Sequence, residues 1–116
     1  MKHTVSLKMN YEFKRLYAKG RSCVAPCVVV YCRKNRGASN RLGITVRTKV
    51  GKAVVRNRVR RRLKEIYRLN EQRMRLGYDI VIVARVRAVN ISYAELSASV
   101  MKAFKTLELL KDGAQQ

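Results

Sequence analysis

Residues 41–86 read RLGITVRTKV GKAVVRNRVR RRLKEIYRLN EQRMRLGYDI VIVARV, and this stretch decides the fold. Its first part, Arg41–Lys49, alternates: Leu42, Ile44 and Val46 face one way, and Gly43, Thr45 and Arg47 the other, as in a strand with one buried face. From Lys52 to Asn70 the period changes to that of a helix. Val55, Val59, Leu63, Ile66 and Leu69 form the expected apolar stripe. Gly77 breaks the chain, and YDIVIVARV, residues 78–86, is a continuous apolar run suited to a central strand. Strand, helix, strand in this order predicts a mixed sheet with helices packed against it.

Working outward, the N-terminal side adds a short helix, Tyr11–Lys19, with Asn10 as its expected cap and Gly20 as its stop. Phe13, Leu16 and Tyr17 share one face of it. CVVVYCR, residues 27–33, is β-branched and aromatic and reads as a strand, with Cys23–Val24 as an earlier segment beyond Pro26. On the C-terminal side, Ser92 and Glu95 have capping-box spacing, with Ile91 and Leu96 placed as a hydrophobic staple. Leu96, Val100, Ala103, Phe104 and Leu107 are the expected buried face of this last helix. The expected division is a basic, poorly ordered tail over residues 1–9, one domain over 10–111, and a frayed tail over 112–116.

The chain has 116 residues, 27 Lys and Arg against 7 Asp and Glu, and a net charge of +20. In residues 88–116, three lysines balance three acids, so the whole excess lies in residues 1–87. Such asymmetry points to a binding face for a polyanion. The helix Lys52–Asn70 holds eight basic residues and one acid, Glu65. Arg56–Arg60, Arg60–Lys64 and Lys64–Arg68 are like-charge pairs one turn apart, which repel. Phosphates relieve that repulsion, and the planar fork of arginine bonds two phosphate oxygens at once. Asn57, Arg61, Lys64 and Arg68 point away from the apolar stripe, with Arg60 beside them and Arg56 and Arg58 on opposite flanks.

Several classes are disfavoured. No run of about 18 apolar residues suggests a membrane span, and Met1–Asn10 has no apolar signal region. Cys23, Cys27 and Cys32 have no nearby histidine, and a strand spanning Cys27 and Cys32 would turn them to opposite sides, so buried free thiols are expected rather than zinc. The expected address is the cytoplasm. His3 is the only histidine and lies in the tail, leaving no base for a nucleophilic triad. Asp79 has no acidic neighbour in sequence.

TKVGKAVVRNRVRRRLKE, Thr48–Glu65, closely resembles the signature of the bacterial ribonuclease P protein subunit, in which a basic helix carries Arg-Asn-Arg, here Arg56-Asn57-Arg58. Phe13, Tyr17 and Gly20 resemble the family's first helix. LGITVRTKVG, DIVIVAR and SYAEL resemble its strands and last helix, so the likeness spans about residues 10–107. Two positions depart from the pattern. Arg62 stands where leucine is frequent, and Tyr17 where phenylalanine is frequent.

The resemblance implies an α+β fold: a two-layer α/β sandwich with a mixed four-stranded sheet and three helices, like domain 2 of ribosomal protein S5. It also implies a left-handed βαβ crossover, where general topology favours the right-handed form. It implies a protein that joins a catalytic RNA, in a holoenzyme that removes the 5′ leader of precursor tRNA. Catalytic magnesium is then held mainly by the RNA, with no catalytic residue or metal site expected in the protein and no protein partner required. Carried over residue by residue, Arg56, Asn57, Arg58, Arg60, Arg61 and Lys64 are the expected contacts to the catalytic RNA. Phe13, Tyr17, Tyr31 and Lys49 are the expected contacts to the single-stranded leader. Helical periodicity alone places Phe13 and Tyr17 in a core, and Tyr31 shares a sheet face with Val29, so cleft and core remain alternatives for these rings. A ribosomal structural protein explains the size and charge equally well, but not the ordered set of motifs. A stand-alone nuclease or a DNA-binding protein has less support.

Overall fold

The computed structural model describes residues 4–111. Five strands form one mixed sheet in the order β1-β4-β5-β3-β2: β1 Thr4–Ser6, β2 Arg21–Val24, β3 Val28–Lys34, β4 Asn40–Thr45 and β5 Tyr78–Ala84. β4 runs parallel to both β1 and β5, while β3 is antiparallel to β5 and β2. The helices are α1 Asn10–Lys19, α2 Ala53–Asn70 and α3 Tyr93–Thr106. The parallel neighbours β4 and β5 are thus joined through the basic helix α2.

The expected four-stranded sheet has a fifth strand, drawn from the segment read as a tail. Thr4 and Leu7 are buried while Val5 and Ser6 are exposed. The Thr4 hydroxyl lies 2.8 Å from the Tyr67 hydroxyl, and the Leu7 amide donates to the Leu42 carbonyl at 2.9 Å. Three residues are too few to show a strand period, so only the partners 36 positions away reveal it. Residues 1–3 and the expected frayed tail over 112–116 lie outside the described residues.

The two sheet faces carry different loads. Val28, Val30 and Cys32 of β3, Ile80, Ile82 and Ala84 of β5, and Leu42 of β4 pack with α2 and α3 in the main core. The opposite face presents Val29, Tyr31, Val81 and Val83 to α1, whose Leu16 is fully buried there. A ten-residue helix cannot cover that whole face, so part of it stays open.

Several local expectations hold. The Ser92 hydroxyl accepts the Glu95 amide at 3.1 Å, and Leu96, Val100, Ala103, Phe104 and Leu107 are all buried. Others shift. Met9, not Asn10, precedes α1, because Glu12 accepts the Met9 amide at 3.3 Å and closes the first turn. Gly20 ends α1 with φ −79°, so it is not a left-handed cap. Its need is space: a Cβ would lie 2.6 Å from the Leu16 carbonyl oxygen and 2.9 Å from that of Cys32.

In α2, Tyr67 is buried and Leu69 is 60% exposed, reversing the expected end of the stripe. The Tyr67 hydroxyl is satisfied inside by Thr4 and by the Asn40 side-chain amide at 3.1 Å, and its ring meets Phe104 edge to face. A polar tip with two partners makes the burial tolerable. Cys27 and Cys32 both enter the main core rather than opposite faces, because Cys27 precedes β3 and escapes its alternation. All three cysteines are free thiols.

Candidate nucleic-acid interface

The helix α2 presents its basic residues in two ways. Arg61 and Lys64 are exposed, with no hydrogen bond or ion pair to the described residues. Asn57 is exposed and accepts from Arg60 at 2.9 Å, which holds that guanidinium along the helix. Arg58 donates to the Val89 carbonyl and Arg62 to the Ile91 carbonyl, each at 3.2 Å. These two arginines tie α2 to the segment entering α3, and the unusual Arg62 is thereby accommodated without burying its charge. Arg68 pairs with Glu65, which lowers the glutamate's proton affinity through that hydrogen bond. Arg56 is half-buried, and its Nε lies out of water without a hydrogen-bond partner.

The open sheet face is built by register. Along β4 and just beyond it, Arg41, Gly43, Thr45 and Arg47 alternate toward α1. Arg41 bonds Glu12 of α1. Gly43 takes the Phe13 ring: a Cβ there would come within 2.5 Å of Phe13 Cε1. The Thr45 hydroxyl lies 3.1 Å from that of Tyr17. Arg47 has no such partner and lines two cavities.

One cavity, of about 360 Å³, is walled by Asn10, Phe13, Lys14, Tyr17, Thr45 and Arg47. The second, of about 340 Å³, includes Tyr31, Arg47, Lys49, Arg85 and Arg87 over a floor of Val29 and Val83. A third hollow of about 200 Å³ brings Phe13 and Gly43 beside Arg60 and Lys64 of α2. Arg47 is common to the first pair, and Phe13 to the first and third. Together they form a track from the open sheet face to the basic helix.

The structure thus brings Phe13, Tyr17, Tyr31 and Lys49 to one surface. All three rings are half-buried, so each is part core and part cleft wall. Lys49 sits in a 3-10 turn, Thr48–Val50, rather than on the expected extension of the strand. Of the other expected set, Arg60 and Lys64 reach the same track; Arg58 turns toward α3. Sequence reading missed Arg47, Arg85 and Arg87. The period-two pattern held the signal for two of them: Arg47 follows Gly43 and Thr45, and Arg85 follows Val81 and Val83.

Among the described residues, no group of three or more His, Cys, Asp or Glu side chains is placed to hold a metal ion. Asp79 is taken by Arg41 and by the Asn35 amide at 3.0 Å. Among the same residues, no helix is long and apolar enough to cross a membrane.

An α+β domain with a cationic helix and an aromatic, arginine-rimmed sheet face is a small RNA-binding protein in class. The sequence matches the Ribonuclease P family model over residues 1–108. It is 39% identical over 110 residues to the ribonuclease P protein component of Alkaliphilus oremlandii, covering 95% of this chain and 96% of that protein. It is 43% identical over 107 residues to that of Clostridium kluyveri, covering 90% and 96%. The RNase P protein of Staphylococcus aureus superposes with a TM-score of 0.84 at 31% identity, covering 91% of this chain and 97% of that one. The chain belongs to the ribonuclease P protein family. It is a subunit of the endoribonuclease that processes tRNA 5′ ends, and its partner is the ribonuclease P RNA.

Proposed function

We propose that the open sheet face holds the single-stranded 5′ leader of precursor tRNA while α2 lies on the catalytic RNA. The observation that carries this reading is the track itself. Aromatic walls (Phe13, Tyr17, Tyr31) and cations (Arg47, Lys49, Arg85, Arg87) line adjoining cavities on the sheet face that α1 covers only in part. Unpaired bases stack on aromatic faces with little sequence preference, and the cations follow the phosphate chain. Lys49 and Arg47 meet phosphates between stacked bases.

On α2, Arg56, Asn57, Arg58, Arg60, Arg61 and Lys64 form the contact to the catalytic RNA. Arg61 and Lys64 are the direct phosphate contacts, and Arg60, held by Asn57, is pre-aimed. The half-buried Arg56, whose Nε alone is sheltered without a partner, offers the rest of its guanidinium to a phosphate. Asn57 and Arg58 orient the helix as well as touch RNA.

Hydrolysis belongs to the RNA, which holds the magnesium ions, and the protein contributes no catalytic residue. Two acids that a metal site would draw on, Glu12 and Asp79, are instead bonded to Arg41. The protein acts in the cytoplasm and needs no further protein partner.

The test is multiple-turnover cleavage at low magnesium with a bacterial ribonuclease P RNA. Substrates with a long leader and with a one-nucleotide leader are compared, with and without the protein. Stimulation that requires the RNA and favours the long leader supports the reading. Equal stimulation of both substrates removes the leader cleft, and cleavage by protein alone removes the assignment of catalysis to RNA.

A further inference from the structure

We infer that Arg41 is a positioning residue for leader binding, a clamp that sets α1 at a fixed height above the sheet. This rests on the reading of the open face as the leader cleft. Arg41 donates from Nε to Asp79 Oδ1 at 2.8 Å and from Nη2 to Asp79 Oδ2 at 2.6 Å, a two-pronged bond to β5. Its remaining nitrogen, Nη1, bonds Glu12 of α1. One guanidinium therefore joins β4, β5 and α1.

Three observations set this cluster apart from an ordinary surface ion pair. First, it is sheltered: the Glu12 and Asp79 side chains are 10% and 14% exposed. Asp79 raises the Arg41 proton affinity through its hydrogen bonds, with Glu12 adding to it. Second, the chain has only seven acids against 27 basic residues, and two of the seven meet at this arginine. Carboxylates beside a phosphate path would repel it, so their presence is explained by geometry rather than by charge. Third, Glu12, immediately before Phe13, also accepts the Met9 amide and so fixes where α1 begins. Phe13 rests on Gly43, two residues along β4 from Arg41. The clamp and the ring share one rail, and the Tyr17–Thr45 contact is the second polar tie of α1 to that rail. Releasing Arg41 frees the N-terminal end of α1, widens the groove, and leaves two uncompensated carboxylates at its edge.

The experiment uses holoenzyme reconstituted with a bacterial ribonuclease P RNA. Affinity for precursor tRNA is measured with a long and a one-nucleotide leader for wild type, Arg41→Gln, Arg41→Lys and Glu12→Gln. Affinity of each protein for the RNA alone is measured in parallel. The long-leader affinity is expected to fall about tenfold for Arg41→Gln and about threefold for Glu12→Gln, as for loss of a charge-assisted contact. The one-nucleotide substrate and RNA assembly stay at the wild-type value. Arg41→Lys recovers part of the loss, since it keeps the charge without the fork. An equal loss on both substrates, or an unchanged long-leader affinity in Glu12→Gln and Arg41→Gln, overturns the clamp. A wild-type enzyme blind to leader length brings down the cleft reading, and the clamp with it.

Discussion

The rings of Tyr17 and Tyr31 meet edge to face, with centroids 4.9 Å apart and planes at 72°, across the gap between α1 and β3. Each ring braces the other, and each keeps part of its surface toward the open face. The Tyr17 hydroxyl is turned to Thr45. The hydroxyl of Tyr17 is therefore accommodated by one polar contact.

This pair makes the first prediction. Tyr17→Ala should weaken binding of long-leader precursor by about 1–3 kcal/mol, the range for one stacked base. Tyr17→Phe should lose less than about 1 kcal/mol, because it gives up only the contact to Thr45. Equilibrium binding with both leader lengths checks it. A loss shared by the short-leader substrate would mean the ring serves the core alone.

Gly43 makes the second. An alanine Cβ would stand 2.5 Å and 2.7 Å from Phe13 Cε1 and Cζ, so the ring has to move. Gly43→Ala should destabilise the fold by about 1–3 kcal/mol, as overpacking does, and should lower long-leader affinity as Phe13 is displaced. Urea unfolding reads the first effect and precursor binding the second.

Arg61 and Lys64 make the third. Both are exposed on α2 with no bond to the described residues, so neutralising them should leave stability within about 0.5 kcal/mol. The double variant Arg61→Ala, Lys64→Ala should reduce the salt dependence of binding to ribonuclease P RNA. The slope of log K against log salt should become shallower by about 2, one unit per lost phosphate contact. An unchanged slope would place both side chains off the RNA.

The buried groups Tyr67 and Cys32 make the fourth. Burial raises the pKa of each above its ordinary value of 10.0 and 9.0, although hydrogen bonds to Tyr67 and the nearby Arg21 for Cys32 oppose the rise. Both are neutral in the fold, and the unfolded chain ionises first as pH climbs. Their contribution to stability is therefore complete below the ordinary values and is lost as pH rises beyond them. Unfolding free energy measured in urea from neutral pH to about pH 11 should fall on the alkaline side. Tyr67→Phe should flatten the tyrosine part of that fall. It should also cost about 1–3 kcal/mol at neutral pH, by leaving Thr4 and Asn40 short of a partner.

Local periodicity made much of this protein legible. The alternation of residues 41–47 predicts the two faces of β4, and in the fold the side carrying Gly43, Thr45 and Arg47 is the one that meets Phe13 and Tyr17. The Ser92–Glu95 spacing marks the start of α3, and the crowding of like charges on α2 marks a face for a polyanion. These are signals that neighbouring residues send within one element, where a helical or extended period converts order into direction.

What the chain alone left open depends on partners far away in sequence. Thr4 belongs to a strand because Tyr67 and Asn40 receive it, the first of these 63 residues distant. Tyr67 goes inside and Leu69 outside because a buried hydroxyl with two partners is stable, and only the fold supplies them. Arg58 and Arg62 are drawn to carbonyls of residues 89 and 91, while Arg61 and Lys64 stay in water. The sequence by itself determined the three helices, four of the five strands, most of their buried faces and the charge that seeks RNA. Tertiary structure decided which cations stay available and which rings border a groove, because hydrogen-bond satisfaction and close packing are settled between elements rather than within them.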